Sequence, residues 1–212
     1  MAGSEIACDQ TDERISIHGP GWTVRFDRAG DRWTHSWWFG PSGHDPAELI
    51  SAVESLPERD DPARIVSPVY QELHRHEPTG DQFDGVCLLL TGHFFQHHFS
   101  AAINLFRDPD SPQDVALDFD VADRCRSPEL SLASTYLVRL GSSDLAEADP
   151  QEIVWNAATI VPVRLKLQCG PPCGLALAEA GRQTTRVQAL AAIDPATFTH
   201  RLRYRWRWES NS

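Results

Sequence analysis

The amino-acid sequence predicts a mainly β (α+β) fold: an antiparallel meander that forms a barrel or strongly curved sheet, with one main helix at about residues 46–56. Three observations lead there. The stretch Arg201-Leu-Arg-Tyr-Arg-Trp-Arg-Trp208 alternates without a break, and period-two alternation marks an extended strand with one dry and one wet face. Shorter runs of the same kind recur along most of the chain, parted by turns. A parallel α/β sheet would need a helix between most strands. Only Asp45–Pro57 carries helix signals.

Residues 1–13 are acidic and polar and read as a flexible tail, leaving residues 14–209 as a single β-rich domain. Strands are expected at Arg14–His18, Trp22–Asp27 and Arg32–Phe39, the last two joined by a turn at Arg28-Ala-Gly-Asp31. Trp33, His35, Trp37 and Phe39 share a face, with Trp22, Val24 and Phe26 able to line the same side of the hairpin. Aromatic cross-strand pairs of this kind stabilise a sheet by roughly 0.2–1 kcal/mol each. The helix follows: Asp45 as N-cap, Pro46 in the first helical position, Glu48 closing a capping box, and Leu49, Ile50, Val53 and Leu56 as its apolar stripe before Pro57. Glu58–Ala63 is a charged connection.

From residue 65 the period is mostly two. Ser67–Glu77 alternates, with Tyr70, Glu72, His74 and His76 on one side. Asp84–Thr91 is apolar on both sides, and His93–Phe106 places His93, Phe95, His97, Phe99, Ala101 and Ile103 on one face. After a turn at Arg107–Asp114, the next strand sends Val115, Leu117, Phe119 and Val121 inward and Asp118 and Asp120 outward. Leu130–Leu140 and Thr159–Cys169 read as strands, Gly174–Gly181 as a strand or short helix, and Thr185–Ile193 with Phe198–Glu209 as a final hairpin.

Composition narrows the function classes. The chain has 212 residues, 41% of them hydrophobic, and a formal net charge of −11 from 30 acidic and 19 basic side chains. A negative field disfavours nucleic acid and anionic membranes, and no apolar run approaches the ~20 residues that span a bilayer. The N-terminal residues lack the basic-then-apolar pattern of a secretion signal, so a cytoplasmic protein with reduced thiols is expected from five scattered cysteines. Phosphate-cradling glycine loops, a Gly-x-Ser-x-Gly elbow, His-Glu-x-x-His and a dinucleotide fingerprint are all missing, so neither an activity nor a cofactor is assigned.

Four features carry candidate chemistry. Arg201, Arg203, Arg205 and Arg207 form a charged row with neighbours roughly 6.5–7 Å apart, which repel unless opposed. Asp118 and Asp120 match them in sign and spacing, and a bound anion is the alternative. His74 and His76, with His93 from a later strand, have the residue types for three nitrogen ligands to a transition metal, against the plainer reading of solvated histidines. Trp22, Trp33, His35, Trp37, Phe95 and His97 are the candidate lining of an interior pocket for a small, partly apolar ligand; a hydrogen-bonded core histidine is the plainer reading of His35 and His97. Cys169-Gly-Pro-Pro-Cys173 resembles the Cys-Gly-Pro-Cys of thioredoxin-like oxidoreductases, but an extra proline parts the thiols and no β-α-β pattern surrounds them. A tight turn bearing two cysteines is therefore expected. Three readings follow: a ligand-binding barrel, a His-ligated metal-dependent enzyme, and an oligomeric structural or interaction protein with paired aromatic stripes.

Overall fold

The computed structural model describes residues 6–40, 45–54, 65–76, 85–109, 111–125, 131–140, 144–157, 162–181 and 183–209. The chain opens with β1 (Ala7–Gln10), β2 (Arg14–Gly19), β3 (Trp22–Ala29), β4 (Arg32–Phe39) and β5 (Ala47–Val53) in one sheet. A short β6 (Ile65–Val66) leads to the second sheet, with β7 (Glu72–His76), β8 (Gly85–Phe94), β9 (His97–Asp108) and β10 (Ser111–Arg124). The chain then returns for β11 (Ser131–Val138) and crosses again for β12 (Leu145–Ala148), β13 (Glu152–Ala157) and β14 (Val163–Cys169). Finally β15 (Gly174–Gly181) and β16 (Thr184–Leu190) join the first sheet and β17 (Thr199–Glu209) the second.

The spatial orders are β1-β2-β3-β4-β5-β11-β16-β15, with β6 beside β11, and β12-β13-β14-β17-β10-β9-β8-β7. Every pairing is antiparallel except β6 with β11. This is a two-sheet sandwich, not a barrel: among the described residues neither sheet closes on itself or on the other. Alternation along each strand is equally compatible with both architectures, because it fixes which face is dry and not what covers it.

Between the sheets the inward rings interleave. Trp37 of β4 meets Trp206 of β17 at 5.7 Å and Trp22 meets Trp208 edge-on at 5.4 Å, while within the second sheet Phe119 stacks on its cross-strand neighbour Tyr204 at 4.6 Å. Trp37, Trp155, Trp206 and Trp208 are all fully buried, so each contributes one of the large apolar areas that dominate core energetics.

Residues 47–53 form a strand where a helix was expected. β5 fills the slot between β4 and β11 and bonds to both. A bulge explains the misleading pattern: Trp37 pairs with Ile50 but Trp38 with Glu48, so Leu49 is the extra residue and Leu49 and Ile50 are both buried. Two adjacent buried residues break period-two alternation and imitate a helical stripe. Leu56, Pro57 and Glu58–Ala63 lie outside the described residues.

Residues 7–10, expected within a tail, pair with β2 from Ala7↔His18 to Gln10↔Ile15; residues 1–5 lie outside the described residues. The turn after Ala29 is as expected, with Gly30 at φ 68°. The Arg107–Asp114 turn is shorter than expected, since β9 runs to Asp108 and β10 begins at Ser111. Residues 67–71 do not alternate: Val66–Tyr70 are all buried, and the segment bridges the sheets. The Trp33 N–H donates to the Tyr70 carbonyl at 2.8 Å, and the Gln71 N–H to that of Thr91 at 2.9 Å.

Candidate functional site

Two regions bring polar chemistry together, one inside the sandwich and one on the second sheet's outer face. In the interior, His35 of β4 stands among Phe26, Trp37, Phe119 and Tyr136, with ring centroids 5.3–5.6 Å away. Its Nε2 lies 3.1 Å from the Tyr136 hydroxyl, which lies 2.5 Å from that of Tyr204. Burial lowers the His35 pKa to about 3, so the imidazole is neutral at pH 7. The Tyr70, Tyr136 and Tyr204 phenols are held above their ordinary range, first by burial. Sequence reasoning placed His35 but missed its partners, because Tyr136 comes from a strand 101 residues away.

The space beside this network is small. A cavity of about 30 Å³ lined by Trp33, His35, Tyr70, Ser134, Tyr136 and Tyr204, among others, remains. That suits a water or two, whereas ligand pockets usually run to ~300 Å³ or more. Of the expected lining residues, Trp33 and His35 border this cavity, and Trp37 is fully buried beside His35. Trp22 packs instead on Trp208. Phe95 was expected on an inward face, but it is 83% exposed at φ 52° in the turn between β8 and β9. His97 is buried with its Nδ1 2.7 Å from Asp123 Oδ2, well apart from the His35 cavity in the register of the sheets.

His74 and His76 are exposed on β7, and His93 is exposed on β8. Glu72 is the carboxylate beside His74, at 4.0 Å. Among the described residues no group of three or more His, Cys, Asp or Glu is placed to hold a metal ion.

On the outer face, β10 and β17 set the Arg row against carboxylates. Asp118 pairs in register with Arg205 and Asp120 with Arg203. Arg205 grips Asp118 through two bonds, from Nε at 2.5 Å and from a terminal nitrogen at 2.7 Å, the fork geometry a guanidinium favours. Arg207 reaches Asp114 at 2.7 Å and Asp108 at 3.1 Å. Arg201 and Arg203 differ: both meet the single carboxylate of Asp120, at 3.3 and 3.1 Å, and both side chains are more than half exposed.

That end of the row flanks two clefts. β14 stops at Cys169 while β17 extends back to Thr199, so nothing from β14 covers residues 199–203. The Cys169–Cys173 turn folds over this edge, where the Arg203 N–H points at Cys173 Sγ, 3.4 Å away. Burial, then the neighbouring Cys173 and Asp149, pushes the Cys169 thiol up to about 11. On one side of the turn is a cleft of about 520 Å³ that includes Asn104, Asp118, Asp120, Gln168, Arg203 and Arg205. On the other is a cleft of about 490 Å³ that includes Asp194, Thr197, Thr199, His200, Arg201 and Arg203. Gly170 and Arg203 border both. The row itself was legible in sequence; the clefts depend on where β14 stops and were not.

No helix among the described residues is long and apolar enough to cross a membrane. No protein-family model matches the chain, and no curated protein matches it. Among solved structures the chain is similar to a heparinase III, the BT4657 gene product, with a TM-score of 0.45 and 10% identity. The match covers 96% of this chain and 36% of that one, so the chain spans about a third of that protein's length, and a likeness at this level carries no statement about function.

Proposed function

We propose that this protein is a two-sheet binding module that takes a small anion, a carboxylate- or phosphate-bearing molecule, in the paired clefts at Arg201 and Arg203. One observation carries the reading: two exposed guanidinium groups share one carboxylate, Asp120, and one of them, Arg203, borders both clefts. The positive excess lies at this end of the row, with two guanidinium groups on one carboxylate, while Arg205 and Arg207 at the other end lie among three, Asp108, Asp114 and Asp118. Planar guanidinium groups suit oxyanions, and partial exposure keeps the desolvation cost low. The far wall carries Asp194, whose Oδ1 accepts the Ala196 N–H, so the ligand is one anionic group rather than a polyanion. The interior, with about 30 Å³ of space, does not supply a competing ligand seat.

Acetate and inorganic phosphate, each with a single anionic group, serve as probes. Thermal denaturation of the full chain should show saturable stabilisation by at least one of them at constant ionic strength, and R201A/R203A should lose it. Absence of a saturable shift, or the same shift in the double variant, rejects the reading.

A further inference from the structure

Where β9 begins and β10 ends, the inward alternation of Val115, Leu117, Phe119 and Val121 runs on into Asp123 and Cys125. Opposite them His97 is the first inward residue of β9, with its ring stacked on Phe99. All three are buried, with relative exposures of 5% for His97 and 2% each for Asp123 and Cys125. Asp123 Oδ2 lies 2.7 Å from His97 Nδ1, and His97 Nε2 lies 3.5 Å from Cys125 Sγ. A carboxylate can only accept, so the proton of the neutral ring sits on Nδ1 and Nε2 turns its lone pair to the thiol. The other carboxylate oxygen, Oδ1, is buried without a hydrogen-bond partner among the described residues. Asp123 therefore holds the ring through Oδ2 alone among the described residues, the place an orienting carboxylate takes. Packing alone requires none of this. Cys87, buried in the same sheet, has no side-chain hydrogen bond among the described residues.

We propose that Cys125, His97 and Asp123 form a thiol-activating triad whose reaction partner is a small electrophile of the hydroperoxide class. Base, nucleophile and orienting carboxylate occupy the order that such chemistry uses. The thiol proton passes from Sγ to His97 Nε2, and the thiolate attacks the terminal oxygen of the hydroperoxide. The S–O bond forms as the O–O bond breaks, and the leaving oxygen takes the proton back from Nε2. Cys125 is oxidised by two electrons to the sulfenic acid, and the peroxide is reduced to water or an alcohol. Size selects this class. Among the described residues, none of the three cavities above is lined by Cys125, and its side chain is buried, which favours a very small reaction partner. A two-oxygen molecule needs little more room than water, and Cys125 follows exposed Arg124 and gives its N–H to the carbonyl of Phe198, itself 67% exposed.

The test treats the intact chain with limiting hydrogen peroxide, traps sulfenic acid with dimedone and reads each cysteine by peptide mass spectrometry. Cys125 should be labelled at least tenfold faster than Cys87 in the same molecule; equal or slower labelling overturns the proposal. H97Q and D123N should each slow Cys125 at least tenfold and leave Cys87 unchanged, and an unchanged Cys125 rate in H97Q also overturns it. Nitrogen-15 NMR of the wild-type ring supplies a readout that needs no variant to fold. The Nδ1–H tautomer supports the triad, and the Nε2–H tautomer refutes it.

Discussion

Acidification should unfold this protein partly through one side chain, His35. Its ring is buried among aromatics and held neutral, with the pKa lowered to about 3 by burial. In the unfolded chain the same ring titrates near its ordinary value, about 6.5. Below that value the unfolded state binds a proton that the folded state refuses, so stability falls as pH drops from the unfolded pKa toward the folded one. At roughly 1.4 kcal/mol per pH unit, lowering the pH from 7 to 4 should cost about 3 kcal/mol through His35 alone. The comparison is with His35→Gln, which keeps a polar group within reach of Tyr136 and cannot titrate. Every other histidine contributes equally to both proteins and cancels. Urea denaturation of both chains at the two pH values yields the double difference. If wild type and variant lose the same stability, the ring is not held neutral by burial and the account of the interior network fails.

Two further outcomes follow from backbone approach and from the charged face. A Cβ on Gly92 would lie 2.2 Å from the Val69 carbonyl oxygen and 3.0 Å from the Gln71 nitrogen. Backbone cannot step aside as a flexible side chain can, so G92A should lose about 1–3 kcal/mol in a urea titration; an unchanged midpoint would show that residues 69–71 do not press on β8. D118A removes the two-bonded partner of half-buried Arg205 and should cost about 1 kcal/mol, whereas D120A, whose arginines are more exposed, should cost less. Equal losses in thermal melts would contradict that ranking.

Strand identity was readable along β17 and β10, whereas the alternation read through His93–Phe106 ran across the turn between β8 and β9. In β17, Leu202, Tyr204, Trp206 and Trp208 are all buried while the four arginines stay on the outer face. Cross-strand charge matching was readable too, because Asp118 and Asp120 share the spacing of the row they meet. The helix reading failed at one inserted residue, Leu49, whose bulge joins two buried positions and erases the period. Closure was not readable at all, since a strand's pattern names its dry face without naming the opposite wall. The buried partners of His35 and His97 depend on register between distant strands, and sequence carries no direct signal of it. One clue did exist: Asp123 and Cys125 continue the inward positions of β10, and an acid on a dry face implies a partner waiting there.

The short segment at residues 67–71 donates to one layer and accepts from the other through main-chain bonds, so the halves of the molecule are sewn together as well as glued. Sliding one half past the other would have to snap Trp33–Tyr70 or Gln71–Thr91 before any ring could leave its neighbour. The protein should therefore answer mechanical load or partial loosening as one piece. Amide protons at those two seams should be released with the deepest core, not with the surface turns around them.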